Sequence, residues 1–345
     1  MKRIKFLALG FSLLFGTICI TASAQHLKKE SPALVILDTD MGNDIDDVMA
    51  IDILYKYADQ KRAKVLGIMN NKSSAYSTRL IDMLNTWYGY GSVPIGRIED
   101  GVHIDDYVDY SRNMVEMNQD SVRYRYSVKN HAALPEAHIL YRKLLAAQKD
   151  QSVTIISIGF STNLARLLQT EADQYSKLSG RELVQKKVKL LSLMAGSFGE
   201  KKRAEFNVIH DIPSAQFLFA NWPGQIVVSP FEIGKKVIYP GKNIETDYQW
   251  ARHHPLVDSY KRYRPYPYDR PTWDLTSVYY VFNPNSLVWQ KSALGKITID
   301  DKGFMFYEEG KQGKHVVLDL PDNQVDALKD ALIQLLKTPT VKRQQ

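Results

Sequence analysis

The chain has 345 residues, of which 44% are apolar and 24% are charged, as is ordinary for a globular protein. Its formal net charge of +7 is too small to indicate a nucleic-acid-binding protein, and the basic stretch GEKKRAEF (199–206) is typical of a solvated surface. Cys19 is the only cysteine, which excludes an intramolecular disulfide and makes the fold depend on a large apolar core.

Residues 1–24 have the three-part pattern of a secretory signal peptide. Basic residues (Lys2, Arg3 and Lys5) precede an apolar segment, and the small residues Ala22-Ser23-Ala24 end it. We expect cleavage before Gln25, a periplasmic or secreted protein, and no membrane association after cleavage. A membrane anchor is the alternative, but the uninterrupted apolar run is short for a spanning helix.

Short apolar runs alternate with amphipathic helical patterns along the chain. Strands are predicted at 33–40, 63–70, 93–98, 152–159, 188–196 and 224–230, and helices at 46–58, 75–89, 134–148, 161–169 and 211–221. This alternation predicts parallel strands joined by helical crossovers, and the Val-, Ile- and Leu-rich strands indicate burial on both faces. The expected fold is α/β, a single domain over 25–345 with an open, mostly parallel, Rossmann-like sheet flanked by helices. A small C-terminal β-hairpin (295–320) and a helix (323–337) follow.

The segment LVILDTDMGNDIDDVMAIDIL (34–54) carries an unusual number of carboxylates. Its five clustered aspartates are Asp38, Asp40, Asp44, Asp46 and Asp47. They lie at the end of the first strand and at the start of the first helix, where ligands bind in open α/β sheets. One aspartate suffices for a helix cap, and further like charges destabilise one another. The cluster predicts a hard divalent cation, Ca²⁺ in preference to Mg²⁺; a solvated acidic turn is the alternative.

DTDMGNDIDDVMAI (38–51) resembles the N-terminal signature of the inosine–uridine-preferring nucleoside hydrolase family. It departs from that signature by Met41 in place of proline, by Val48 in place of alanine, and by two extra residues between Gly42 and Asp46. Further segments resemble family motifs in the family's order, at 67–71, 157–168, 190–196, 204–216 and 272–280. The resemblance spans residues 34–285.

The resemblance implies hydrolysis of the N-glycosidic bond of a small-molecule nucleoside or related riboside. It implies Ca²⁺ bound by Asp40, Asp47, Asp274 and the backbone carbonyl of Ile158, with Asp40 also acting as the general base. The residues that it places on the substrate are Asp46, Asn71, Met194, Glu205 and Asn207. Asp38 is expected to orient its neighbours, and a homo-oligomer is left open.

Trp273 is the main departure from the family pattern. Many members have a histidine there that is tied to protonating the leaving base, whereas an indole cannot supply a catalytic proton. Either another residue is the acid, or the leaving group needs none, or the substrate is not an ordinary nucleoside. Trp273 is expected to contact the substrate. The nearby tyrosines (260, 263, 266 and 268) either stack on a nucleobase or pack on their own core.

Two alternative functions compete with nucleoside hydrolysis. One is a catalytically inactive nucleoside- or ribose-binding protein of the same fold, and the other is a hydrolase of a riboside that is not a nucleoside. A haloacid-dehalogenase-type phosphatase is disfavoured because Gly42 stands where Asp-x-Asp-x-Thr requires threonine. Asn163 is interpreted as part of a helix start, and His210, His253 and His254 as non-catalytic.

Overall fold

The computed structural model describes residues 31–104 and 109–341. The predicted signal peptide and its cleavage site before Gln25 lie outside the described residues and stay predictions. No helix within the described ranges is both long and apolar enough to cross a membrane.

The strands follow the predicted order. They are β1 (Ala33–Thr39), β2 (Ala63–Asn70), β3 (Ile95–Gly96), β4 (Val153–Ser157), β5 (Val188–Met194), β6 (Ile226–Ser229), β7 (Ile238–Tyr239), β8 (Arg270–Pro271), β9 (Gln290–Lys291), β10 (Gly295–Ile299), β11 (Met305–Glu309) and β12 (His315–Asp319). The predicted strand at 93–98 is present only as the two residues of β3.

The helices separate these strands. They are α1 (Asp46–Asp59), α2 (Ala75–Trp87), α3 (Tyr110–Ser121), α4 (Ala137–Ala146), α5 (Thr162–Leu168), α6 (Gly180–Lys187), α7 (Phe206–Ile209), α8 (Ile212–Asn221), α9 (Phe231–Lys236), α10 (Asn243–Thr246), α11 (Pro255–Tyr263), α12 (Trp273–Phe282) and α13 (Val325–Lys337). Helix α3 lies in a tyrosine-rich stretch for which no helix was predicted.

The central sheet has the strand order β11-β10-β12-β6-β5-β4-β1-β2-β3. All neighbours from β12 to β3 run parallel, which confirms the predicted open, mostly parallel α/β fold. Strand β1 lies between β2 and β4, and its last five residues are fully buried. The carboxyl ends of β1, β4 and β5 therefore meet at one edge of the sheet.

The predicted C-terminal hairpin is present as the antiparallel pair β10–β11. It is not a separate appendage, because β12 pairs in parallel with β6 and carries the hairpin into the central sheet. The hairpin packs against the segment that follows β5: a Cβ built on Gly196 would lie 2.3 Å from the sulfur of Met305 in β11. The hairpin thus extends the sheet beyond β6.

Helices α1 and α13 are joined through Lys56, whose buried ammonium group also forms an ion pair within α1. Lys56 and Asp52 lie one turn apart on α1, their side chains are almost fully buried, and Nζ and Oδ2 are 2.6 Å apart. Lys56 Nζ also donates to the carbonyl of Leu336 in the last turn of α13, where helix carbonyls lack intrahelical partners. Tyr88 and Tyr248 donate to Asp52 at 2.6 and 3.0 Å, so this buried carboxylate is well satisfied.

Candidate active site

A pocket of about 270 Å³ lies beyond the carboxyl ends of β1, β4 and β5. This is the edge where open α/β sheets bind ligands. Nine of the predicted site residues line it: Asp40, Asp46, Asp47, Ile158, Met194, Glu205, Asn207, Trp273 and Asp274. They come from five separate stretches of the chain that the fold brings together.

The chain turns sharply between β1 and α1 to place its aspartates in the pocket. Gly42 has φ of 114°, a conformation that glycine adopts at least cost. A Cβ at this position would also lie only 2.8 Å from the side-chain oxygens of Asp109 and Ser111. Gly159 allows a second close approach, since its Cβ would lie 2.6 Å from the backbone nitrogen of Asp40.

Five buried carboxylates form what we call the carboxylate floor: Asp40, Asp46, Asp47, Glu205 and Asp274. Each is at most 5% exposed, which places the floor at the deep end of the pocket. Asn43 Nδ2 donates to Asp40 Oδ2 at 2.7 Å, and the backbone N–H of Asp274 donates to Asp46 at 3.2 Å. The backbone N–H groups of Gly196 and Asn207 donate to Glu205 at 3.2 and 3.1 Å.

Burial raises the pKa values of these carboxyl groups. The pKa of Asp40 rises to about 6, because burial outweighs the Asn43 hydrogen bond and the charge of Lys72. The pKa of Glu205 rises to about 7 for the same main reason. Burial first, and then the charges of neighbouring aspartates, raise the pKa values of Asp47 and Asp274 well above their ordinary range. Burial and crowding therefore disfavour the charged form of the floor carboxylates.

The donor chemistry of the floor fits a hard cation. Within 31–104 and 109–341, no group of three or more His, Cys, Asp or Glu side chains is arranged to hold a metal ion. Thr39 donates to Asp47, and Asn43 donates to Asp40. However, Asp47 Oδ2 is buried without any hydrogen-bond partner. A buried carboxylate oxygen without a partner is costly, and an oxygen-preferring cation would satisfy it. Asp40 and Asp274 line the same pocket and would supply further carboxylate oxygens to such a cation.

Asn207 joins two strand ends at the pocket wall. Its amide nitrogen donates to the carbonyl of Met194 at 3.2 Å and to that of Ile158 at 3.4 Å. The same nitrogen lies 3.3 Å from the sulfur of Met194. Asn207 is thus placed by the ends of β4 and β5, and Met194 forms part of the pocket lining next to it.

Asn71 lies behind the pocket instead of lining it. Its amide nitrogen donates to Asp38 Oδ1 at 2.7 Å, and its Oδ1 accepts from the backbone N–H of Phe160 at 3.2 Å. Tyr141 and Asn163 donate to the same Asp38 carboxylate at 2.9 and 3.1 Å. Asn71 is therefore engaged by Asp38 and Phe160 outside the pocket lining, and its contact with substrate stays a prediction. Asp38 connects β1 to its neighbours, as expected of an orienting residue.

Two aromatic and two basic side chains line the outer part of the pocket. We call this group the aromatic wall; its members are Phe231, Trp273, Arg203 and Arg270. The rings of Phe231 and Trp273 stack with centroids 5.4 Å apart, and the Trp273 indole N–H donates to the carbonyl of Phe231 at 3.0 Å. Arg270 forms a bidentate ion pair with Asp44 and lies 5.2 Å from the Trp273 ring. Trp273 is thus fixed in place by three contacts.

Sequence reasoning missed Arg203, Arg270 and Phe231 as pocket residues. Arg203 was interpreted as solvated surface within GEKKRAEF; it is exposed as expected, and it also lines the pocket beside Phe231. Arg270 stands three residues before Trp273, just ahead of the last motif, and that position was the only available signal. The partner of Arg270 is Asp44 of the aspartate cluster, and the two residues are 226 positions apart in the sequence.

The remaining aromatic and histidine candidates lie outside the pocket lining. Tyr260 and Tyr268 stack on each other with centroids 4.4 Å apart, and each hydroxyl donates to the other's backbone carbonyl. The tyrosine-rich segment therefore packs on its own core. His254 packs against Trp87 and Tyr248, and His210 Nδ1 lies 2.9 Å from the carbonyl of Phe206.

Solved structures of known proteins share this fold. A plant nucleoside hydrolase is 18% identical with a TM-score of 0.65, and the alignment covers 89% of this chain and 100% of that one. An inosine–uridine-preferring nucleoside hydrolase from Bacillus anthracis is 15% identical with a TM-score of 0.64, covering 88% and 99%. A purine-preferring ribonucleoside hydrolase from Gardnerella vaginalis is 15% identical with a TM-score of 0.66, covering 88% and 99%. At these identities the likeness shows the fold alone.

Sequence comparison assigns the family. No curated protein sequence matches the chain significantly. The profile of the inosine-uridine preferring nucleoside hydrolases, in contrast, matches residues 35–326, which include every residue of the pocket. The chain therefore belongs to the inosine–uridine-preferring nucleoside hydrolase family and is an N-glycosyl hydrolase.

Proposed function

We propose that this protein is a Ca²⁺-dependent enzyme that hydrolyses the N-glycosidic bond of a ribonucleoside or related N-riboside, releasing base and ribose. The observation that carries the metal requirement is the carboxylate floor, in which Asp47 Oδ2 is buried without a hydrogen-bond partner. Arg270 is the one cation that pairs with a carboxylate of the described pocket lining, and its partner is Asp44. None of the five floor carboxylates forms an ion pair with a described cation.

Asp40, Asp47, Asp274 and the carbonyl of Ile158 would hold the ion, since all four residues line one pocket. Three carboxylates and a carbonyl are the oxygen donors that Ca²⁺ prefers, and Mg²⁺ is the weaker candidate because it demands a smaller, more regular site. When bound, Ca²⁺ would supply charge stabilisation and lower the pKa of a coordinated water.

Asp40 is the proposed general base. Asn43 holds its Oδ2 at 2.7 Å, so the second oxygen is the one to take a proton from water. The water oxygen then bonds to the anomeric carbon as the carbon–nitrogen bond breaks, and the bonding electron pair leaves on the base nitrogen. The ribose passes through an oxocarbenium-like state, for which a negatively charged floor is favourable.

The sugar hydroxyls are proposed to bind Asp46, Glu205 and Asn207, with Met194 bordering the ring. Glu205 is fixed for this role by two backbone donors, and Asn207 by the carbonyl of Met194. Asn71 is proposed to act from behind by holding Asp38, and thereby the end of β1. Fixed polar groups of this kind orient a substrate without reorganisation.

The leaving base is proposed to lie against the aromatic wall. Trp273 and Phe231 present partly exposed stacked rings at the pocket mouth, which suits a flat heterocycle. The indole N–H of Trp273 is already used by the carbonyl of Phe231, so Trp273 binds and does not donate a proton. The described pocket lining contains no histidine that replaces the family's acid.

The enzyme is also proposed to act outside the cytoplasm, on the evidence of the three-part pattern in residues 1–24. Mass spectrometry of the exported protein should find Gln25 as its first residue. A secreted pool that keeps Met1 would contradict cleavage.

A panel of nucleosides and ribosides tests the catalytic proposal, with free ribose as the readout. The purified protein should release ribose from at least one common ribonucleoside. Treatment with a chelator should abolish turnover, and Ca²⁺ should restore it more effectively than Mg²⁺. Full activity in the presence of the chelator would contradict the metal requirement, and no ribose release from any member would contradict the hydrolase assignment.

A further inference from the structure

A second cavity adjoins the active site on the side of the aromatic wall. This outer pocket has a volume of about 360 Å³ and is lined by residues 199–203 together with Phe231, Glu232 and Lys235. It shares Phe231 and Arg203 with the active-site pocket. A group attached to the far side of a bound base would therefore reach the outer pocket past these two side chains.

The outer pocket is positively charged. Its lining contains four basic residues, Lys201, Lys202, Arg203 and Lys235, against the two acidic residues Glu200 and Glu232.

Glu232 is already occupied by the loop that forms the pocket. It accepts hydrogen bonds from the hydroxyl of Ser197 and from the backbone N–H groups of Phe198 and Gly199, the last two at 3.3 and 3.1 Å. These hydrogen bonds hold the loop to α9, and among the described residues Glu232 forms no ion pair with the basic side chains of the lining.

Arg203 is the basic residue best placed to meet a substrate. Its guanidinium carbon lies 4.1 Å from the centroid of Phe231, so the cation and the ring form one continuous surface. Among the described residues no carboxylate lies within ion-pair distance of Arg203, whereas Arg270 on the same wall is neutralised by Asp44. Lys235 Nζ adds a second cation 5.8 Å from the same Phe231 ring.

The two pockets together present opposite charges at their two ends. The deep end is the carboxylate floor, and the outer end is basic, with the Phe231 ring between them. Complementary charge decides which ligands such a site selects. A neutral purine or pyrimidine would make no use of the exposed cation of Arg203.

We propose that the preferred substrate is an N-riboside whose aromatic leaving group bears an anionic substituent, a carboxylate, which Arg203 binds while the ring lies against Phe231. This inference rests on the proposed function and specifies its substrate class. A guanidinium binds a carboxylate through two parallel hydrogen bonds, which a lysine cannot reproduce. Lys235 supplies long-range attraction from behind.

Nicotinic acid riboside and nicotinamide riboside provide a matched test pair. They share a pyridinium ring and ribose and differ by a carboxylate against a carboxamide. In both, the bonding electrons that leave with the ring neutralise its positive nitrogen, so no acid is needed and the comparison is independent of Trp273. The measurement is kcat/KM for release of free ribose, and the protein should prefer the acid.

Arg203→Gln should lower kcat/KM for the acid by roughly 10–100-fold, the effect of one charge-assisted contact, and for the amide by less than about threefold. Arg203→Lys should lose less activity on the acid than Arg203→Gln, since lysine keeps the positive charge but cannot form the two parallel hydrogen bonds of a guanidinium. Arg125→Gln is the matched control, because Arg125 is exposed and lies outside the lining of both pockets. This control variant should leave kcat/KM unchanged for both substrates.

Two failures are distinguishable. If the protein prefers the amide, or if Arg203→Gln lowers kcat/KM equally for both substrates, the proposed preference for an anionic leaving group is refuted. The hydrolase function then still stands. If neither riboside, nor inosine, nor uridine releases ribose, the proposed function fails and the substrate class fails with it.

Discussion

Replacing Asp40 with asparagine separates its chemical role from its structural one. Asparagine has the same shape, and its side-chain oxygen can still accept the hydrogen bond that Asn43 donates at 2.7 Å. What is lost is the negative charge and the ability to take a proton. General-base catalysis typically contributes roughly 10²–10⁴-fold, so kcat should fall by that factor, which equals about 3–5 kcal/mol of activation free energy.

The stability of the same variant should move in the opposite direction. Asp40 lies in a floor with Asp46, Asp47 and Asp274, and its carboxylate is 4% exposed or less. Removing one of several crowded, desolvated charges relieves repulsion. In the presence of a chelator, Asp40→Asn should therefore melt at the same temperature as the parent protein or above it.

Ribose release at saturating substrate and thermal melting together give the two measurements. Asp120→Asn is the control for the substitution, since Asp120 is exposed and lies outside the pocket. Near-normal kcat in Asp40→Asn would refute the general-base assignment. A fall in melting temperature of several degrees along with the fall in kcat would instead show that the charge holds the site together.

Three further outcomes are expected. Chelator-stripped protein should bind about one Ca²⁺ per chain in calorimetry, gaining about 2.7 kcal/mol of stability at 100 times Kd, and Asp47→Asn should weaken this binding. Trp273→Phe should leave the shape of the pH–rate profile unchanged and raise KM, because it removes only the indole donor to the Phe231 carbonyl. Burial lowers the pKa of His315 from 6.5 to about 4, while its Nδ1 accepts from the backbone N–H of Ile297 at 2.8 Å. Because the unfolded chain takes up this proton first, the stability that His315 contributes is complete above pH 6.5 and is lost as pH falls towards 4; the loss is on the order of 2–3 kcal/mol, and His315→Asn should flatten it in denaturant titrations.

Each of these outcomes has a clear contrary result. Unchanged Ca²⁺ affinity in Asp47→Asn would remove Asp47 from the ion's ligands. Loss of one titrating limb in Trp273→Phe would show that an acid depends on the indole for its position. An equal decline in stability for His315→Asn and the parent protein between pH 6.5 and 4 would assign that decline to other groups.

The parallel core of the fold follows closely from the sequence pattern. Strand β2 has the bounds predicted from its apolar run, and β1 ends one residue before its prediction, because buried parallel strands read as continuous Val-, Ile- and Leu-rich segments. Helix α3 was missed since its sequence, YSRNMVEMNQDS, has few apolar residues. The Asp109 side chain that accepts from Ser111 N–H at its start was the one local signal.

The floor of the site was predictable, whereas its mouth was predicted only in Trp273. The end of the first strand and the start of the first helix identified Asp40 and Asp47, and the family resemblance identified Asp274. No local pattern pairs Asp44 with Arg270, whose contact depends on how α1 and the segment before α12 meet in space. Asn71 shows the opposite limit: its motif was recognised, but the sequence does not state which way its amide points.

The buried contact between Lys56 and Leu336 also has a consequence for the order in which the chain becomes functional. Helix α1, whose first residues are Asp46 and Asp47, is synthesised early, whereas its partner α13 is synthesised last. The contact closes a loop of 280 residues, and such distant pairings form late because they cost the most chain entropy. Until α13 docks, Lys56 lacks one of its two hydrogen-bond acceptors. A nascent or C-terminally shortened chain would therefore carry the aspartates of the site on a helix that still lacks its contact with α13.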